Sequence, residues 1–320
     1  MIQSALTGLA RALRGRPAPP PHPERPLTLD GDHGVFGLYR PYSGALAEGY
    51  SYSFLGERYR ATYGGWTPSP AGSGTVPLPP RNEEYYEWID ILEAAAAARG
   101  TFTFLELGAG FGRWSARAAL AARQLGKPFA LGMAEPDPKH VAFIRQNMID
   151  NGVDEDSFRI YQAVVSASRR DVLFCVGKPG HGEGWYGQHV VDDSPADAAS
   201  AGDYHGQPLY AYRDELAVAI PQIPLSAVLA DYPAIDLIDM DLQGAEAEAV
   251  EEALDVLNRK VRMLHIGTHG HDIEARLRQV LGAAGWRCVR DHACGQMNET
   301  LFGPMEFNDG VQTWLNPRRT

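Results

Sequence analysis

Phe104-Leu105-Glu106-Leu107-Gly108-Ala109-Gly110-Phe111-Gly112-Arg113-Trp114 is a largely apolar run that passes through three alternating glycines into a helical pattern. The run reads as a strand buried on both faces, and glycines at its end let the backbone turn tightly and approach a ligand closely. A dinucleotide fingerprint would be GxGxxG, whereas Gly108, Gly110 and Gly112 space as GxGxG, with Arg113 where the third glycine belongs. This spacing favours a different nucleoside ligand over a nicotinamide dinucleotide. Glu106, just before the turn, suits the ammonium of an amino-acid moiety better than a pyrophosphate. Gly108, Ala109, Gly110 and Gly112 then form the turn around it.

Outward from this stretch, strand and helix patterns alternate, which predicts a parallel sheet covered on both faces. Strands are expected at 102–107, 129–135, 158–165, 235–241, 261–267 and 286–291, and helices at 112–126, 137–151, 244–257 and 271–285. A preceding helix over 82–98 starts at Asn82 as cap and carries Tyr85, Trp88, Ile89 and Leu92 on one stripe, with Glu87 and Asp90 off it. Residues 177–232 break the alternation with glycines, prolines and acids. They are expected to form an insertion before the fourth strand, over the carboxyl ends of the strands, where open α/β sheets bind ligands. Asp309 to Leu315 reads as a turn and a final edge strand.

The second strand ends in Met133-Ala134-Glu135-Pro136-Asp137, and a carboxylate at that tip can accept both hydroxyls of a ribose. Glycine turn and Glu135 together resemble the Rossmann-like, class I fold of S-adenosylmethionine-dependent methyltransferases. Ala163, at the end of the third strand, is the matching candidate for the adenine wall. The fourth strand, Ile235-Asp236-Leu237-Ile238-Asp239-Met240-Asp241-Leu242-Gln243-Gly244-Ala245-Glu246, resembles the signature of the FkbM family of methyltransferases. Asp241, Gly244 and Glu246 keep that pattern. Asp239 stands where the family usually has a lysine, and Gln243 where it has a glutamate. The resemblance covers about residues 101 to 291.

What the resemblance implies is methyl transfer from S-adenosylmethionine to an acceptor oxygen, on a sugar or natural product. The protein must align the acceptor, exclude water and help remove a hydroxyl proton. Asp241 is expected to be the base, a metal ligand, a contact to the cofactor or a structural cap of the helix near Gly244. The fifth strand ends in His265-Ile266-Gly267-Thr268-His269-Gly270-His271, where His269 is the candidate general base or metal ligand and His265 a hydrogen-bonded core residue. Asp241 and His269 would supply two ligands to a divalent ion. Asp239 or an insertion residue (His189, Asp192, Asp193) would have to complete the site. Trp185, Tyr186 and Gln188 offer stacking surface and an amide for an acceptor or adenine, or ordinary packing in a hinge. The two departures from the family pattern keep open a non-catalytic binding or scaffold protein with the same fold.

Composition bounds these readings. The 320 residues carry 29 Lys+Arg against 40 Asp+Glu, a net charge of −11, which disfavours nucleic acid as partner. Hydrophobic content of 44% supports a sizeable core, and no apolar run reaches the roughly 18 to 20 residues of a membrane-spanning helix. Cys175, Cys288 and Cys294 form no metal or disulfide pattern, which fits a cytoplasmic setting. The expected organisation is an amphipathic start and proline-rich linker over 1–30, an aromatic-rich cap and helical segment over 31–100, and a methyltransferase domain over 101–320. A small-molecule or carbohydrate acceptor is the expected partner, and a homodimer is compatible with the sequence.

Overall fold

The computed structural model describes residues 31–64, 67–178, 188–192 and 198–319. The amphipathic start and the proline-rich linker, residues 1–30, lie outside the described residues. Helix α1 (Glu84–Ala97) is followed by β1 (Phe102–Leu107), α2 (Arg113–Gln124), β2 (Phe129–Ala134), α3 (Pro138–Asp150) and β3 (Phe158–Tyr161). After an inserted sheet and α4 (Leu225–Ala230), the alternation resumes. It runs through β10 (Ile235–Met240), α5 (Glu246–Lys260), β11 (Val261–Thr268), α6 (His271–Ala283) and β12 (Arg287–His292). The insertion holds β4 (Val164–Ser166), β5 (Arg170–Gly177), β6 (Val190–Asp192), β7 (Ala199–Tyr204), β8 (Gln207–Tyr212) and β9 (Glu215–Pro224). The chain closes with a hairpin, β13 (Gln296–Thr300) and β14 (Gly303–Phe307), and with β15 (Gly310–Leu315).

The central sheet has the order β12-β15-β11-β10-β1-β2-β3, and the pairs from β11 to β3 are parallel. Period two explains why β1 is apolar throughout. Phe102 and Phe104 join the core that includes α1, α2 and α3, while Leu105 and Leu107 join the core that includes α4, α5 and α6. The strand order changes direction between β1 and β10, so the carboxyl ends of those two strands open a crevice.

The structure corrects three expectations. The third strand stops at Tyr161, where the Ala163 N–H donates to the Tyr161 carbonyl at 3.0 Å; the chain then crosses into β4, which pairs in parallel with Gln222–Pro224 of β9. The inserted sheet thus begins at Val164 and has a small core of its own, built on Val172, Phe174, Val218 and Ile220. The final strand is not an edge. Strand β15 lies between β11 and β12, antiparallel to both, and buries Val311 to Trp314. Asn82 gives no side-chain cap, and α1 is covered on most sides, with Asp90 fully buried. The aromatic segment packs Phe36 and Phe54 against Tyr85 and Trp88 of α1, while Tyr59 and Tyr63 meet Phe111 of the glycine turn.

An interior position makes β15 structural. Trp314 is 3% exposed, so Trp314→Ala should cost about 3–5 kcal/mol, the usual range for emptying a buried tryptophan site. Urea denaturation followed by circular dichroism checks this, and a loss below about 1 kcal/mol would place the residue in edge-strand surroundings.

Candidate cofactor and acceptor site

The glycine turn is shaped by what it touches. Gly108 has φ +85°, and a Cβ there would sit 1.9 Å from the Asp241 carbonyl oxygen, so the turns after β1 and β10 meet only because that side chain is missing. The Asp241 N–H donates to the Leu107 carbonyl at 2.8 Å and locks the two turns together. Gly112, at φ +73°, caps α2, and a Cβ there would crowd the Met133 sulfur at 3.1 Å. Glu135 ties the turn to the second strand: Oε2 accepts the Gly110 N–H at 2.7 Å and Oε1 the Asp137 N–H at 2.9 Å. A carboxylate has about four acceptor positions, so capacity remains for ligand hydroxyls.

These residues surround a cavity of about 390 Å³, lined by Gly108, Gly110, Glu135, Ala163, Gln188 and Asp241 among the expected residues. Gln188 donates to Asp137 at 3.1 Å, as does the Tyr204 hydroxyl at 3.2 Å, so two segments of the insertion dock on the start of α3 and wall the cavity. His140, Phe174 and Gln222 also line it. They carried no local signal, because an imidazole on a helix, or an apolar or amide side chain on a strand, becomes a wall only through tertiary placement. Trp185 and Tyr186 lie outside the described residues.

Glu106 takes a different place from the one expected. Its oxygens accept the N–H groups of Trp114 at 3.2 Å and Ser115 at 2.8 Å, at the start of α2, and it does not line the cavity. Burial pushes its carboxyl up to about 8, against the pull of those hydrogen bonds. Ala109 and Gly112 likewise support the turn from behind the cavity wall.

His269 stands beside Asp241, among three carboxylates. Its Nδ1 lies 2.8 Å from Glu246 Oε1, and its Nε2 lies 3.3 Å from Asp241 Oδ1 and 3.6 Å from Asp309 Oδ1. Burial lowers the imidazole, but the Glu246 hydrogen bond and the charges of Asp241, Glu246 and Asp309 outweigh it and hold the ring at about 9. The surrounding carboxylates thus favour the protonated ring, and the Gln243 amide Nε2 lies 3.0 Å from the same Nε2 that faces Asp241. The group that joins Asp241 and His269 is Glu246, whose Oε1 also accepts the Leu242 and Gly244 N–H groups, each at 3.1 Å. Among the described residues it is not Asp239, and His189 faces Glu215; Asp193 and the side chain of Asp192 lie outside the described residues.

A second, smaller pocket of about 140 Å³ opens on the other side of Asp241, lined by Glu83, Glu84, Glu87, Arg113, His265 and Asp309 among others. Burial lifts the Asp239 carboxyl to about 7, with the His265 charge pulling the other way. Burial, and then the Asp239 charge, raise Glu87 well above the usual carboxylate range. His265 is buried, with Nδ1 2.7 Å from Asp90 Oδ2. Sequence reasoning gave no part to Glu87 or Asp90. Their one signal was the presence of acids in an otherwise apolar helix.

The model of the methyltransferase FkbM domain matches residues 106–288, more than half of the chain. The chain belongs to the FkbM methyltransferase family. A Jannaschia sp. (strain CCS1) protein, named provisionally as a methyltransferase, is 26% identical over 234 residues, spanning 72% of this chain and 78% of that protein. Among solved structures, the methyltransferase FkbM of Methylobacillus flagellatus KT matches at 13% identity and TM-score 0.41, over 69% of this chain and 45% of its own. The precorrin-6y C5,15-methyltransferase of Geobacter metallireducens GS-15 matches at 12% identity and TM-score 0.38, over 71% of this chain and 85% of its own. Membership of the family implies S-adenosylmethionine as methyl donor. The close approach at Gly108 and the Glu135 carboxylate at the β2 tip fit that nucleoside.

The charge on His269 has a consequence for stability. Its pKa is raised on folding, so its contribution is complete below about pH 6.5, the ordinary histidine value, and is lost as pH rises through about 9. The stability gap between wild type and His269→Gln should be widest below pH 6.5 and close by about pH 10. Denaturant titrations at several pH values measure it, and a gap that is constant with pH would mean that the ring is neutral.

Proposed function

We propose that the protein transfers a methyl group from S-adenosylmethionine to a hydroxyl oxygen of a small acceptor, a sugar or sugar-bearing natural product. The observation that carries this reading is the position of Asp241, which lines both the larger cavity and the smaller acidic pocket. The donor nucleoside belongs in the larger cavity, with Glu135 accepting ribose hydroxyls and the Gly108 turn against the methionine portion. The smaller pocket is then the place for the acceptor. Its carboxylates are hydrogen-bond acceptors, which suit a hydroxyl-rich ligand and repel phosphates, in keeping with the net charge of −11.

S-adenosylmethionine supplies an already activated methyl, so this chain has three tasks: to hold the acceptor in line, exclude water and take up the hydroxyl proton. Asp241 is the group placed for the last of these. The imidazolium of His269 fixes its orientation, and Gln243 donates to the same Oδ1 at 2.8 Å. The free thiols Cys175, Cys288 and Cys294 support a reducing, cytoplasmic setting. Among the described residues no helix is long and apolar enough to cross a membrane.

Asp241→Asn keeps the shape and removes the base. Turnover, followed as S-adenosylhomocysteine release over a panel of sugars and glycosides, should fall by about 10²–10⁴. Affinity for S-adenosylhomocysteine should stay within a few-fold. Unchanged turnover on an accepted substrate would remove Asp241 from the chemistry.

A further inference from the structure

Glu87 and His265 of the acidic pocket, with Asp239 buried behind them, form a second set of groups that the reading above leaves unused. Asp239 is 5% exposed, and its carboxylate accepts no hydrogen bond from any described residue. An ionised carboxyl in that position is costly without a partner. Glu87 reaches the same spot from α1, and one oxygen of each, together with a ring nitrogen of His265, lie within 4.8 Å of one another. His265 is 2% exposed, and its Nδ1 is committed to Asp90, leaving Nε2 for the pocket. Asp90 is itself fixed by the Thr313 hydroxyl at 2.5 Å and by Arg290. A histidine held at one nitrogen by a buried carboxylate, with two further carboxylates within 4.8 Å of its ring, suits a metal-binding role. Arg113, the cation lining this pocket, is engaged with Glu84 at 2.7 Å.

We propose that Glu87, Asp239 and His265 bind one divalent metal ion in the wall of the acidic pocket. Two carboxylate oxygens and one imidazole suit Mn²⁺, with Mg²⁺ and Zn²⁺ as competitors. Bond lengths of roughly 2.0–2.2 Å are reached by small side-chain rotations from the present spacing. This set is distinct from Asp241, Glu246 and His269, where both ring nitrogens already face carboxylates. The ion's use rests on the function proposed above: open positions would take the acceptor hydroxyl and acidify it. The oxygen–methyl bond then forms as the methyl–sulfur bond breaks, its electron pair stays on sulfur, and the hydroxyl proton passes to Asp241.

The test is titration of the chelator-treated full chain with MnCl₂, reading free Mn²⁺ by electron paramagnetic resonance, with no cofactor present. One Mn²⁺ per chain is expected. Asp239→Asn should weaken it by 100-fold or more, and Asp90→Asn, which removes the charge that orients the His265 ring and pairs with Arg290, by about 10–100-fold. Binding of S-adenosylhomocysteine by each variant shows that it is folded. Absence of Mn²⁺, Mg²⁺ or Zn²⁺ binding by folded wild type would overturn the proposal, leaving Glu87 and Asp239 to share a proton. Binding that survives Asp239→Asn but is lost in Asp241→Asn would also overturn it. Mn²⁺ bound without S-adenosylhomocysteine binding would uphold the ion site while refuting the methyl-transfer reading.

Discussion

The missing side chain at Gly108 lets the turn after β1 and the turn after β10 touch, and the rest of the site depends on that contact. With a Cβ 1.9 Å from the Asp241 carbonyl, the two turns would have to separate. The Asp241 N–H would then leave the Leu107 carbonyl, and Asp241 would no longer stand between the two cavities. Neighbouring parallel strands bring their tips together in any sheet of this topology. Only a residue without a side chain brings them close enough for one aspartate to line both cavities.

Around that contact the charges divide into two groups with opposite solutions to burial. Glu246 and Asp241 enclose His269 and keep it protonated, so this group is balanced and serves as a clamp. Asp239 and Glu87 lie near one another, and burial drives both carboxyls upward against the pull of the Arg113 charge. His265 belongs to Asp90 and presents its other nitrogen to them. His265 in the fifth strand and His269 just beyond its end are separated by Ile266, Gly267 and Thr268, yet they occupy different electrostatic surroundings.

Local sequence made the glycine turn, Glu135 and the Asp241 strand legible because each is a strand tip, where residue type and position follow from backbone geometry. The doubly wound core was legible for the same reason, since period two and helical spacing report burial directly. What stayed hidden depends on partners distant in sequence. Nothing near Glu106 says that its oxygens turn back to Trp114 and Ser115, and nothing near His269 announces Glu246 and Asp309 on its two sides. The interior position of β15 was obscured because Gln312 and Thr313 look like surface residues, although both are fully buried, with the Gln312 amide donating to Asp291 and Thr313 to Asp90.

The cavity between Gly108, Glu135 and Asp241 is expected to hold the nucleoside of the methyl donor. Calorimetric titration with S-adenosylhomocysteine of wild type and of Glu135→Ala tests it most directly. Micromolar binding by wild type, weakened at least about tenfold in the variant as charge-assisted hydrogen bonds to the ribose are lost, is the predicted result. Binding that is absent in the folded wild type, or unaffected by removal of Glu135, would contradict it.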